Sequence, residues 1–178
     1  MDSAPLNALF LAADQHDIPR GLAHAMAHVE SSLNPWATRT EPAYRWLWDV
    51  SKNAPYRVSN KAAAAKLPPN GFPAPPGISQ LTEWIAQQTS WGLMQVMGAN
   101  ARSLGLTGPL PQLCGPAIGA DYGCRLLNQY AQRWLPTYGW RGVCQAFNSG
   151  SPDNRNGYPN KVASAAAALG IKDVFGER

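Results

Sequence analysis

Carboxylates are scarce in this chain, so each can be weighed for chemistry by its neighbours. The glutamates are Glu30, Glu41, Glu83 and Glu177. Glu30 closes a stretch, Gly21 to Val29, that is apolar or small apart from His24 and His28. A carboxyl group held in apolar surroundings has its pKa raised, because burial disfavours the charged form. That is what a general acid working near neutral pH requires. The plainer reading, a glutamate at a frayed helix end facing water, stays open on local sequence alone. Glu83 lies beside Leu81, Trp84 and Ile85, which make an apolar helix face, and it reads as a solvated charge. Glu177, next to the C-terminus, reads the same way. Glu41 stands beside Pro42 and its role is left open.

Other chemistries find less support. His24 and His28 are four residues apart on one helix face, the spacing of a two-histidine metal site. Yet Ala25 stands where the zinc-protease motif needs glutamate. Glu30 points about 200° round the helix from His28 at 100° per residue. We therefore read the histidines as structural or solvent-facing and expect no metal. Cys114, Cys124 and Cys144 sit in no catalytic signature, and Cys124 and Cys144 fall on apolar stripes, as core thiols do. No phosphate-cradling glycine loop is present, so no nucleotide cofactor is expected.

The elements that must position these groups follow from spacing. At 178 residues, one compact domain over 1–178 is the default. Leu6, Leu9, Phe10 and Ala13 predict a first helix. Asp17-Ile18-Pro19 turns into a second, with Pro19 in its first turn and Leu22, Ala25, Met26 and Val29 as its stripe, ending at Asn34-Pro35. Residues 39–80 differ: Tyr44, Trp46 and Trp48, an alanine run, then Pro68, Pro69, Pro73, Pro75 and Pro76 read as an irregular insertion. Helical signals return at Leu81 to Gln88, from Gly92 to about Ser103, over 116–134, around Cys144 to Phe147 and over 158–169. Strand alternation is hard to find. The expected fold class is mostly α.

Fifteen Lys and Arg against eleven Asp and Glu give a net charge of +4. The cations are scattered singly, without a basic stripe, so nucleic acid is not expected as a partner. A mild positive charge suits another anionic polymer such as bacterial cell wall. No run approaches the roughly 18 apolar residues of a membrane span. The apolar stretch Leu6 to Ala13 follows Asp2 rather than a basic region, so no signal peptide is expected.

Four short strings, taken together, favour the general-acid reading of Glu30. Glu30-Ser31-Ser32-Leu33-Asn34-Pro35 resembles the opening motif of soluble lytic transglycosylases, relatives of goose-type lysozyme. Gly92-Leu93-Met94-Gln95 matches that family's second motif. Ala146-Phe147-Asn148-Ser149-Gly150 resembles the third, and Tyr158 with Lys161-Val162 the fourth. They occur in the family's order over most of the chain.

The resemblance implies a lysozyme-like domain and cleavage of the β-1,4 bond between N-acetylmuramic acid and N-acetylglucosamine in peptidoglycan, without water or cofactor. It implies Glu30 as the acid and then the base, and Tyr158 as the hydrogen-bond partner that orients it. Met94, Gln95, Phe147 and Asn148 would line the glycan cleft, and Ser31 would fix the turn behind Glu30 or touch substrate. Phe147 departs from the family's usual tyrosine. Thr38, Thr89 and Ser90 are the candidates for a hydroxyl near the reacting C6 oxygen. Tyr44, Trp46 and Trp48 either extend the cleft or anchor the insertion.

The expected partner is the peptidoglycan strand, met by a monomer. Synthesis in a host cytoplasm and later release to the wall, as for a phage endolysin or a virion-borne lysin, is the expected setting. Two rival readings remain: a hydrolase using a second carboxylate such as Glu41 or Asp153, and a non-catalytic glycan binder.

Overall fold

The structure is a computed structural model and describes residues 3–176; Asp2 and Glu177, both weighed above, lie outside the described residues. It is mostly α, as the apolar spacings predict. Helix α1 (Ala4–Gln15) buries Leu9, Ala12 and Ala13, and α2 (Arg20–Ser31) buries Leu22, Ala23, Ala25, Met26 and Ala27. Pro19 stands at the N-cap of α2, one place ahead of its expected position in the first turn. The helix stops at Ser31, short of Asn34-Pro35, because Ser32 and Leu33 turn left-handed (φ 54° and 62°). Their N–H groups donate to His28 O and Ala27 O, which satisfies carbonyls left open at the helix end.

Beyond α2 the chain forms strands too short for alternation to reveal. These are β1 (Thr38–Thr40), β2 (Trp46–Asp49) and β3 (Ala54–Arg57), then α3 (Asn60–Ala63), α4 (Gln80–Gln87), β4 (Thr89–Trp91) and β5 (Val96–Met97). An antiparallel sheet runs β1-β4-β5, with Arg39 opposite Ser90 and Ser90 opposite Met97. Strands β2 and β3 pair as a separate hairpin. The helix expected from Gly92 to Ser103 is therefore a turn and a strand, and only Gly98–Ser103 is helical (α5). Gly92 sets that turn. Its φ is +71°, and a Cβ there would stand 2.2 Å from Leu113 O.

The insertion is more ordered than its proline content suggests. Phe72, in the proline-rich stretch, is fully buried between Tyr56 and Trp84, with edge-on ring contacts of 5.2 and 5.1 Å. Leu47, Phe72, Trp84 and Ala99 form a cluster of their own beside the main core.

Glu83 is not a solvated charge. It is 0% exposed and holds Arg102, 3% exposed, by two bonds, Nε to Oε1 at 2.7 Å and Nη2 to Oε2 at 2.8 Å. Gln87 Nε2 donates to Glu83 Oε1 as well, at 2.9 Å. The buried face of α4 is Glu83, Trp84, Ala86 and Gln87, while Leu81 and Ile85 are exposed. Of the expected apolar face only Trp84 is buried, and Glu83 joins it because the partner that makes its charge tolerable lies 19 residues away.

After a 3-10 turn (Leu110–Cys114), α6 (Pro116–Ser149) joins the two segments expected separately, kinked at Gly139 (φ 60°, ψ −175°). It packs on α1 and carries Leu127, Val143 and Cys144 into the core; α7 (Tyr158–Ala168) packs on α2 and α6. No helix of the described residues is long and apolar enough to cross a membrane.

Candidate active site

Two helix ends meet at the site. Glu30 occupies the last turn of α2, and Tyr158 is the first residue of α7, after Gly157 in left-handed conformation (φ 78°). Tyr158 is 5% exposed, and its Oη donates to Glu30 Oε1 at 2.6 Å. Burial of the Glu30 carboxyl raises its pKa above the ordinary 4.5. The Tyr158 bond and the charges of Arg39 and Lys161 pull the other way without cancelling the rise. Burial, reinforced by Glu30 itself, pushes the phenol pKa far up, so Tyr158 keeps its proton and acts as donor. Glu30 Oε1 is thus engaged by Tyr158, and no side-chain bond is formed to Oε2 among the described residues.

These groups open onto a cavity of about 650 Å³ lined by residues of both halves of the chain, including Glu30, Arg39, Glu41, Tyr44, Ser90, Gln95, Asn100, Phe147, Asn148, Tyr158 and Lys161. The sequence motifs thus bring Glu30, Gln95, Phe147, Asn148 and Tyr158 to one place. Asn148 Oδ1 accepts from Asn156 Nδ2 at 2.7 Å, and no protein bond of its own amide nitrogen is formed among the described residues. Its N–H groups are open to a ligand.

Gln95 is held more tightly than a free sugar contact would need. Its left-handed backbone (φ 48°) aims the amide back into the fold, where Nε2 donates to Ala37 O at 2.9 Å and Gly92 O at 3.0 Å. Its Oε1 accepts from Ser90 Oγ at 2.9 Å. The side chain ties the Gly92 turn to the approach of β1 and shapes the cavity floor.

Ser31 and Met94 are placed elsewhere. Ser31 Oγ lies 2.8 Å from Leu93 O and 3.2 Å from Ala27 O, which fastens the end of α2 to the Gly92 turn. Met94 is 0% exposed, packed in the core against the backbone of Gly123, where a Cβ would come within 2.5 Å of its Sδ. It cannot reach a ligand from there. Among the candidate hydroxyls, Ser90 lines the cavity. Thr89 is turned to Thr40 Oγ1 and Ile85 O, and Thr38 is exposed at the start of β1.

Glu41 shares the cavity wall and is ion-paired with Arg39. Asp153 is exposed on the loop after α6, where it meets Tyr138. His24 lies edge-on to Phe10 at 5.9 Å, and no group of three or more His, Cys, Asp or Glu is placed to hold a metal among the described residues. Cys144 is buried close to Glu30, and burial with that neighbouring charge pushes its thiol up to about 12, so it stays protonated.

Sequence reasoning missed the bracing behind the site. Asn156 Oδ1 accepts from the backbone N–H of Tyr158 at 3.0 Å and from Gln145 Nε2 at 3.0 Å. Asn156 thereby fixes the start of α7 and hands Asn148 its orientation. A polar residue two places before Tyr158, in a loop entering a helix, was the available signal.

The family model for the transglycosylase SLT domain matches residues 7–169. No curated protein and no solved structure matches the chain.

Proposed function

The chain belongs to the transglycosylase SLT domain family, whose members act on peptidoglycan, and on that premise we propose that it is a lytic transglycosylase in which Glu30 is the one acid–base group. The observation that carries this reading is the partly buried Glu30 carboxyl, bonded on one oxygen to Tyr158, on the wall of the cavity.

In the first half of the reaction, Glu30 Oε2 gives its proton to the glycosidic oxygen, the bond from that oxygen to C1 of the muramoyl sugar breaks, and N-acetylglucosamine leaves with a free 4-hydroxyl. Positive charge develops at C1. In the second half the Glu30 carboxylate takes the proton of the C6 hydroxyl, and O6 closes onto C1 to give the 1,6-anhydro sugar. The proton lost in the first half is regained in the second, so no water is consumed. Arg39 and Lys161 favour the carboxylate that forms between the halves. Tyr158 holds the carboxyl in register through both, and Asn148 offers N–H donors to the sugar. Ser90 is the candidate hydroxyl on the cavity wall, its Oγ bonded to Gln95 Oε1.

A second reading has one observation in its favour: Glu41 lines the same cavity and could activate water in a two-carboxylate hydrolysis. Its carboxylate is already engaged by the ion pair with Arg39. Digestion of purified peptidoglycan in oxygen-18 water separates the two. Transglycosylation leaves anhydro ends without label in wild type and in E41Q alike. Labelled reducing ends that disappear in E41Q would establish the hydrolase.

A further inference from the structure

The β2–β3 hairpin carries a charged group that the reaction above does not use. Trp46, 47% exposed, begins β2. The guanidinium carbons of Arg45 and Arg57 lie 4.7 and 4.8 Å from its ring centroid. Arg57 is the cross-strand partner of Trp46, so the hairpin register itself fixes that contact. Stacking holds a guanidinium in place while leaving its N–H fork open. Neither arginine forms an ion pair with a carboxylate among the described residues, whereas Arg20, Arg39, Arg102 and Arg125 each do. Two guanidinium groups thus stand on one ring, neither ion-paired to a carboxylate among the described residues.

The group adjoins the catalytic cavity. A second hollow of about 210 Å³ is lined by Trp46, Trp48, Arg57, Asn100 and Ser103, and Asn100 belongs to the wall of the catalytic cavity too. Tyr44 Oη, 3.4 Å from Asn100 Oδ1, marks the junction. The chain therefore runs from the cavity wall at Glu41 and Tyr44 straight into the arginine–tryptophan group.

We infer that Arg45, Trp46 and Arg57 bind carboxylates of the peptide stems borne by the glycan strand, and so give the enzyme a preference for stem-bearing over naked glycan. The inference rests on the glycan-cleaving role proposed above. A planar guanidinium fork matches a carboxylate with two parallel bonds. Each muramoyl residue can carry a peptide on its lactyl group, and such peptides bear free carboxylates, so a strand seated in the catalytic cavity brings anions to the hairpin.

The test compares glycan strands carrying stems with the same strands stripped by an amidase. Wild type is expected to show kcat/KM about tenfold higher on stem-bearing strands, the difference lying in KM and shrinking with added salt. In R45A/R57A the ratio should fall toward one while stripped strands are still cut, and R45K/R57K should recover only part of it. A wild-type ratio of one, or a ratio that R45A/R57A retains, would overturn the site. Equilibrium binding of the E30Q protein to the two kinds of strand reads the same preference without turnover, so failure of the cleavage reading is distinguishable from failure of this one.

Discussion

Tyr158 Oη stands 2.6 Å from Glu30 Oε1, a bond between the start of α7 and the last turn of α2 that spans 128 residues of chain. It sets two influences against each other on one carboxyl. Burial holds the proton on, while the phenol and the nearby cations favour its release. A group that must first give a proton and then take one back is served by such a balance.

The pH dependence of the reaction follows. Since the free enzyme must hold the Glu30 proton, kcat/KM should fall as pH rises through its raised pKa, with the alkaline limb above the ordinary 4.5. Y158F removes a bond that favours the carboxylate, so the limb should move to higher pH. The rate on its plateau should drop roughly 10²-fold, because the carboxyl is no longer held in register. A pH–rate profile of the two proteins checks this; a slower Y158F enzyme with an unmoved limb would make Tyr158 merely structural.

The same carboxyl weighs on stability. The folded state holds the Glu30 proton more tightly than the unfolded chain, since its folded pKa is the higher one. Stability is therefore lost as pH rises from the unfolded pKa through the folded one, and the full cost is present above that window. E30Q, which never ionises, should melt above wild type at neutral pH, with the gap closing below the ordinary carboxyl pKa. Thermal melts at several pH values would read it, and a gap that does not change with pH would refute the argument.

Glu83 and Arg102 brace the β-sheet side of the cavity by joining α4 to α5, and Arg102 Nη1 goes on to Leu106 O and Gly108 O at 2.5 and 2.7 Å. E83A leaves a buried guanidinium without its counter-charge and should cost about 3–5 kcal/mol, whereas the apolar pair E83L/R102M should cost far less. Denaturant titrations decide it; a loss below about 1 kcal/mol for E83A would mean that water reaches the pair.

Met94 offers a sharp contrast between core and cleft. As a buried residue against Gly123 it should tolerate M94L at a cost below about 1.5 kcal/mol, while M94A should cost about 2–5 kcal/mol. Neither change should raise KM for glycan in the folded enzyme. A raised KM in M94L at full stability would return Met94 to the substrate.

The helical frame was legible where apolar residues recur over three turns, as in α1, α2 and α7. The motif strings brought Glu30, Gln95, Phe147, Asn148 and Tyr158 to one cavity. Three things were not legible, each for a physical reason. Strands of two to four residues are too short to display a period of two. Glu83 reads as solvent-facing because hydropathy cannot see a buried partner 19 residues on. The positive φ of Gly92 and Gln95 converts what reads as a helix start into a hairpin-like turn, and it is that turn which spends the Gln95 amide inside the protein.

The central claim is that Glu30 alone performs both proton transfers. Mass spectrometry of the fragments released from purified peptidoglycan, wild type beside E30Q, addresses it most directly. Wild type should release 1,6-anhydromuramoyl ends, and E30Q should do so at a rate lower by a factor on the order of 10²–10⁴ or more. Anhydro ends formed at the wild-type rate by E30Q would contradict it.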